Sequence, residues 1–261
     1  MTELQPAENL YDYPHYYDLV YGSDWKAEFE FLLHCFEQHA LCMVGRGFEP
    51  ACGTGRLLFR LAKKGYQVSG LDLSKSAVAF CNRRLARSGT SEQVFVGNMC
   101  DFQLDHEVEA AFNMINSFRH LDSEQAARDH LRCVAATLPS GGIYVLGLHL
   151  SPAEGTTTDG ESWSARRGHL CVNSSLHCID RDLEQRVERY RMTYDVYTPT
   201  RNFQLVDEVA FRTYTAAQMA ELIASVKDFA VVETYDFSYG VDQPIEIDES
   251  NKDVDYVLRK K

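Results

Sequence analysis

The sequence predicts an α/β fold: a mostly parallel, twisted sheet with helices on both faces, plus a small antiparallel auxiliary sheet. Three observations carry this reading. Between residues 45 and 150, segments with helical spacing alternate with short apolar runs, and strand–helix–strand order implies parallel pairing through crossover helices. In the next fifty residues the period drops to two, with Tyr190, Met192, Tyr194 and Val196 on one face and Arg189, Arg191, Thr193 and Asp195 on the other. Beyond that, Thr215-Ala-Ala-Gln218 has the form of a capping box and returns the chain to helix and strand.

The elements follow in order. After a lead rich in tyrosine (Tyr11, Tyr13, Tyr16, Tyr17, Tyr21), Ser23 is placed to cap a helix whose Trp25, Phe29, Leu32, Leu33 and Phe36 share one face. A strand ends near Glu49, and a glycine-rich turn covers Cys52–Gly55. The next helix carries Leu57, Leu58, Leu61 and Ala62 and stops at Gly65. Gln67–Leu71 is a strand closed by Asp72. Ser74 then caps a helix with Ala77, Val78, Cys81 and Leu85 inward. Val94–Gly97 and Phe112–Ile115 read as strands, Ser123–Leu138 as a helix ended by Pro139, and Ile143–Leu148 as a buried strand. Ser151–Glu161 is a Pro/Gly/Thr loop, and Val209, Phe211 and Thr213 repeat the two-residue alternation. Phe229–Tyr235 and Val254–Leu258 are the last strands. These boundaries divide the chain into an N-terminal segment with a helix (1–44), a core of alternating strands and helices (45–150), an auxiliary antiparallel sheet (151–213), and a C-terminal part completing the main sheet (214–261).

Composition narrows the function. The 261 residues carry 26 Lys+Arg against 38 Asp+Glu, a net charge of −12. Nucleic-acid binding needs clustered positive charge, so no nucleic-acid partner is expected. The longest apolar stretch, Ile143–Leu150, is too short to span a bilayer, and the N-terminus lacks the basic and apolar regions of a secretory signal. The eight cysteines (Cys35, Cys42, Cys52, Cys81, Cys100, Cys133, Cys171, Cys178) form no CxxC pair, and the histidines show no HExxH or HxH spacing. They read as reduced thiols of a cytoplasmic protein without a metal site, a monomer or homodimer with no membrane partner.

The chemistry is concentrated in Phe48-Glu-Pro-Ala-Cys-Gly-Thr-Gly-Arg56 and Gly70-Leu-Asp-Leu-Ser74. Gly53 and Gly55 allow a tight turn and close approach of a ligand to the backbone. Asp72, at the end of the second strand, suits the two hydroxyls of a ribose; capping the next helix is its other possible role. A dinucleotide fold would want a third small residue three places after Gly55, where this chain has Leu58. A nucleoside without a pyrophosphate fits better.

Glu49-Pro-Ala-Cys-Gly-Thr-Gly55 resembles motif I of the class I S-adenosylmethionine (SAM)-dependent methyltransferases. Gly97-Asn-Met-Cys-Asp-Phe102 resembles their next motif, and Phe112-Asn-Met-Ile-Asn-Ser-Phe-Arg-His-Leu121 the motif of the fourth strand. The resemblance covers residues 11–150. An added antiparallel sheet followed by Arg212-Thr-Tyr-Thr215 is similar to the subgroup of sugar-amine N-methyltransferases, in which N-terminal tyrosines cover the site. What the resemblance implies is a Rossmann-like class I methyltransferase fold with SAM as cofactor, Asp72 and its neighbour Leu73 at the ribose, and Glu49, Ala51, Cys52, Gly53 and Gly55 along the cofactor. Asn98, where the family has aspartate, and Met99 would meet the adenine, with Asp101 able to share the task. Asn116 would lie near the transferable methyl group, and Tyr17 and Tyr21 would close over the cofactor. His120 follows the fourth strand where a general base or an orienting residue would stand.

The expected activity is methylation of nitrogen or oxygen on a small-molecule acceptor, releasing S-adenosylhomocysteine (SAH). A degenerate SAM-binding scaffold and a nucleotide-dependent oxidoreductase are the alternatives. Transfer from a sulfonium needs alignment and exclusion of water more than a catalytic triad, and no triad is visible.

Overall fold

Two sheets organise the computed structural model, which describes residues 3–6, 9–90, 93–151 and 160–261. In chain order the elements are β1 (Glu3–Pro6), α1 (Pro14–Tyr21), α2 (Lys26–His39), β2 (Arg46–Pro50), α3 (Leu58–Lys63), β3 (Gln67–Asp72), α4 (Lys75–Arg87), β4 (Val94–Val96) and β5 (Ala110–Asn113). Then come α5 (Glu124–Thr137), β6 (Ile143–His149), β7 (Gly160–Arg167), β8 (Leu170–Asp182), β9 (Val187–Tyr197), β10 (Asn202–Arg212), α6 (Ala216–Ser225), β11 (Phe229–Tyr235) and β12 (Asp253–Lys260). The main sheet has the order β11-β12-β6-β5-β2-β3-β4. β2 to β6 are mutually parallel, and β12 runs antiparallel between β6 and β11. The second sheet is the expected antiparallel one, β10-β9-β8-β7, extended at its edge by β1, which pairs parallel with β10.

Alternation along β6 shows how the main sheet is held. Tyr144, Leu146 and Leu148 point to the face covered by α5 and α6, where they meet Leu131, Val134, Met219 and Leu222. Ile143 and Val145 point to the other face, against Phe31 and Leu32 of α2 and Leu58 and Leu61 of α3. Both faces are apolar, as a parallel sheet between helix layers requires. A third, smaller core joins Leu19 and Val20 of α1 to Val172, Met192, Tyr194, Val196 and Leu205 of the second sheet. The N-terminal tyrosine segment is thereby docked on that sheet.

Most elements stand where the sequence places them. Ser74 and Ser123 cap α4 and α5, accepting from the backbone amides of Ala77 and Ala126, and Thr215 and Gln218 form the reciprocal capping box. Four local readings differ. Ser23 does not cap α2; Trp25 occupies the cap position without a side-chain bond, and the Arg60 guanidinium lies 3.8 Å from the centre of its ring. The helical ladder starts with Phe29 N on Trp25 O (2.9 Å), two residues beyond Ser23. The tyrosine lead contains α1, with Pro14 at its first turn, a position that suits proline. The fourth parallel strand is Ala110–Asn113 rather than Phe112–Ile115, because the chain leaves the sheet before Asn116, whose φ is 57°. Of the expected Ser151–Glu161 loop, residues 152–159 lie outside the described residues, and Gly160 and Glu161 already belong to β7.

One buried acid has a measurable consequence. Asp255 of β12 faces Gly147 of β6, where any Cβ would collide with the Met114 carbonyl and Asp255 Oδ1. It is fully buried, and neither carboxylate oxygen has a hydrogen-bond partner. Burial, followed by the nearby Glu28, Asp236 and Asp253, holds this carboxyl well above the usual range. An acid raised on folding destabilises the folded state only above its unfolded value, and increasingly so as pH rises toward the folded one. Asp255→Asn should therefore raise the melting temperature relative to the parent protein progressively between pH 5 and pH 8. A difference that stays constant over that range would mean that folding does not perturb this carboxyl.

Candidate functional site

Strand order reverses direction between β2 and β5: from β2 the chain moves outward through β3 and β4, and from β5 in the opposite direction through β6. The crevice beyond the carboxyl ends of two such strands is where sheets of this kind bind ligands. A cavity of about 490 Å³ opens there, a size suited to a small ligand. Its floor is the segment after β2, its rim the segment after β5, and its cover is α1 with β7, β8, β9 and β10.

The floor is a turn of unusual backbone geometry. Ala51, Gly53 and Gly55 have φ of 55°, 52° and 67°. An alanine held in the left-handed region costs on the order of 1–2 kcal/mol, and such strain gathers at functional sites. The turn is pinned by Cys52 N to Leu71 O (2.9 Å) and Gly55 N to Cys52 O (2.8 Å). Gly53 also donates to Asp72 Oδ2 (2.8 Å), while Asp72 Oδ1 accepts from Ser74 N (2.9 Å). Burial raises the Asp72 carboxyl, and the two amide bonds counter that. The two glycines differ in role. A Cβ on Gly53 would meet nothing closer than Tyr17 Cε1 at 3.9 Å, so its surface is open; a Cβ on Gly55 would strike Cys81 Sγ, so Gly55 lets α4 pack against the turn.

Glu49, Ala51, Cys52 and Gly53 line the cavity, together with Tyr17, Tyr21, Asn116 and His120. Glu49 is buried, its Oε2 has no partner, and burial drives its carboxyl well above the usual range despite the neighbouring Arg56. Tyr17 stacks obliquely on Tyr21 with ring centres 4.8 Å apart, and Tyr21 donates to or accepts from Ser174 Oγ at 3.1 Å. Asn116 uses its side chain to accept from His149 N (2.8 Å) rather than to cap the following turn, which ties the β5 rim to the end of β6.

His120 is exposed within the cavity, bonded to Tyr11 Oη at 3.1 Å and packed against Phe211 at 4.8 Å between ring centres. The surrounding walls, and next the Arg119 guanidinium, push it down to about 4, so the ring is neutral near neutral pH. The other expected residues sit along the same carboxyl edge outside the cavity lining. Asp72 ends β3, and the exposed Leu73 follows it. Asn98 turns its Oδ1 back on Cys100 N (3.1 Å), and Met99 is buried with its carbonyl on His130 Nδ1 (2.9 Å).

Several lining residues were not singled out by the sequence. Arg119 forms a buried ion pair with Glu188 (2.5 Å) and donates to Arg212 O (2.9 Å), joining the β5 rim to the second sheet. His149 and Asp253, at opposed positions of β6 and β12, are bonded through Nδ1 and Oδ1. Their partners are distant in sequence, and the only available signal was the pairing of two apolar strands ending in polar residues. Among the described residues no group of three or more His, Cys, Asp or Glu is arranged to hold a metal ion, and no helix is long and apolar enough to cross a membrane.

Residues 48–142 match a family model described as a methyltransferase domain. The Bacillus subtilis protein YqeM is 28% identical over 111 residues, which are 41% of this chain and 43% of that protein; the chain thus spans under half of this curated relative. Among solved structures, an S-adenosylmethionine-dependent methyltransferase from Clostridium acetobutylicum superposes with a TM-score of 0.77 at 14% identity, covering 97% of this chain and 99% of that one. CalS10, a SAM-bound amino pentose methyltransferase from Micromonospora echinaspora, superposes with a TM-score of 0.71 at 19% identity, covering 98% and 100%. At such identities the likeness establishes the fold.

Proposed function

We propose that this chain, which has the class I SAM-dependent methyltransferase fold and carries a methyltransferase domain over residues 48–142, methylates nitrogen or oxygen on a small-molecule acceptor. The observation that carries the reading is the strained Ala51–Gly55 turn, which opens with the buried Glu49, its Oε2 unpartnered, onto a covered cavity at the strand-order reversal. SAM, when bound, supplies an electrophilic methyl group on a positively charged sulfur.

The residues fit that cofactor. Glu49 Oε2 is a buried acceptor awaiting a donor, and the open face of Gly53 admits a ligand against the backbone. Asp72 accepts one amide bond on each oxygen, which leaves a lone pair on each for a ribose hydroxyl. Asn98 and Met99 would flank the adenine, and Leu73 the ribose. Tyr17 and Tyr21 exclude water from the reacting centre. His120, neutral and bonded to Tyr11, is better suited to orient the acceptor than to hold a proton, because a base works best with a pKa near the working pH.

For the acceptor, an amine-bearing sugar is favoured. CalS10, of the same fold, is an amino pentose methyltransferase, and with Glu188 paired to Arg119 and Arg56 to Glu28, the cavity lining keeps Asp24, Glu161 and Asp253 against Lys252. A surplus of carboxylates beside aromatic rings suits a cationic group. A cytoplasmic location belongs to the same reading, supported by eight cysteines that are all unpaired.

Calorimetric titration with SAM, SAH and NAD, followed by transfer of a labelled methyl group to amino sugars, phenols and carboxylic acids, tests the proposal. Binding of NAD without SAM would overturn it, and SAM binding without turnover on any acceptor class would point to a scaffold. Asp72→Ala should weaken SAM binding by about 1.5–3 kcal/mol, the scale of hydrogen bonds to a charged group. Unchanged affinity in the folded variant would remove Asp72 from the site.

A further inference from the structure

His149 is the second histidine of the cavity, and its surroundings differ from those of His120. Its Nδ1 is bonded to a carboxylate, Asp253 Oδ1, from the antiparallel partner strand. Its ring packs on Phe237 with centres 5.3 Å apart, and its backbone amide is fixed by Asn116 Oδ1 at 2.8 Å. His149 and Asp253 both line the cavity, and Nε2 has no hydrogen-bond partner among the described residues. A carboxylate on Nδ1 selects the tautomer that leaves Nε2 as the acceptor. His120, by contrast, has a phenol as its partner.

We propose that His149 is the proton acceptor of the transfer and that Asp253 is its positioning residue. This rests on the methyltransferase reading. The acceptor's lone pair forms the bond to the methyl carbon while the carbon–sulfur electron pair leaves with sulfur, giving the neutral thioether. The proton lost by the acceptor's nitrogen or oxygen passes to Nε2 of His149 and then to water. No oxidant or further reactant is needed. His149 is bonded to Asp253 and fixed by Asn116, whereas His120 is bonded to Tyr11, and these different partners give the two histidines separate tasks: one holds the acceptor and the other removes its proton.

Two measurements test this. Long-range proton–nitrogen NMR of the ligand-free protein reads the tautomer directly. The wild-type ring of His149 should carry its proton on Nδ1, and Asp253→Asn should abolish that preference. A wild-type ring protonated on Nε2 overturns the proposal, whatever the acceptor proves to be. Single-turnover methyl transfer to the best amino sugar or phenol of the acceptor panel is the second. His149→Ala should lower the rate by about 10²–10⁴-fold with SAM affinity unchanged by calorimetry, and added imidazole should restore part of it. Asp253→Asn should give a smaller loss in the same direction. If SAM binds and transfer proceeds at the wild-type rate in folded His149→Ala, the proton-acceptor role is wrong and the methyltransferase reading stands. If SAM does not bind the wild-type protein, that reading fails independently.

Discussion

Arg56→Ala is expected to lower folding stability by about 3–5 kcal/mol, the cost of leaving a buried charge without its partner. Arg56 and Glu28 meet as two parallel bonds, Nη1 to Oε2 and Nη2 to Oε1, with side chains only 14% and 4% exposed. The arginine follows the Ala51–Gly55 turn directly, so this pair fastens α2 to the turn that forms the cavity floor. Lysine at position 56 would keep the charge but lose the planar fork, and should recover only part of the loss. Replacing both partners, as in Glu28→Leu with Arg56→Met, should cost less than Arg56→Ala alone, since Glu28 is then no longer left as an orphaned carboxylate. Urea unfolding of the four proteins measures this. A loss below about 1 kcal/mol for Arg56→Ala would place the pair with surface ion pairs of little consequence.

The second large effect is on binding. Gly53→Val should reduce SAM affinity at least a hundredfold, equivalent to about 2.7 kcal/mol or more. Gly53 has a φ of 52°, a region that a β-branched residue enters only under strain. Neighbouring atoms leave room for a side chain, the nearest being Tyr17 Cε1 at 3.9 Å, so the protein should still fold. The two methyl groups would instead stand where a ligand must approach the backbone. Gly53→Ala should fall between the parent and valine. Calorimetry on folded protein decides the matter, and wild-type affinity in the valine variant would show that the turn does not hold the cofactor.

What could be read from the sequence was local. The glycine spacing at 53 and 55, the acid at 72 and the caps at Ser74 and Thr215 depend on neighbours a few residues away, and the structure has the turn and the caps in those places. The two-residue alternation in 190–196 likewise gave the inward face of β9, with Met192, Tyr194 and Val196 buried. What escaped depends on pairs distant along the chain. Arg119 finds Glu188 across 69 residues, and His149 finds Asp253 across 104. Neither partner carries a local mark. Ile115 looked like the end of a strand because it is apolar and β-branched, yet it is 47% exposed, since the left-handed Asn116 turns the chain out of the sheet. Burial, not residue type, separates the two cases, and burial is set by the assembled fold.

The pairing of β1 with β10 sets an order of events during synthesis. Glu3 lies opposite Phe203, and Leu10 N donates to Asp207 Oδ2 at 3.0 Å, so the segment that leads into the cavity's cover is tied to strands made some 200 residues later. At about 5–20 residues per second, the ribosome needs about 10–40 s to produce that partner. The tyrosine segment must wait through this interval, while β2 to β6 already have each other and the helices between them. The segments that form the cavity floor thus leave the ribosome before the sheet that covers it, while β12, which completes the main sheet beside β6, comes last.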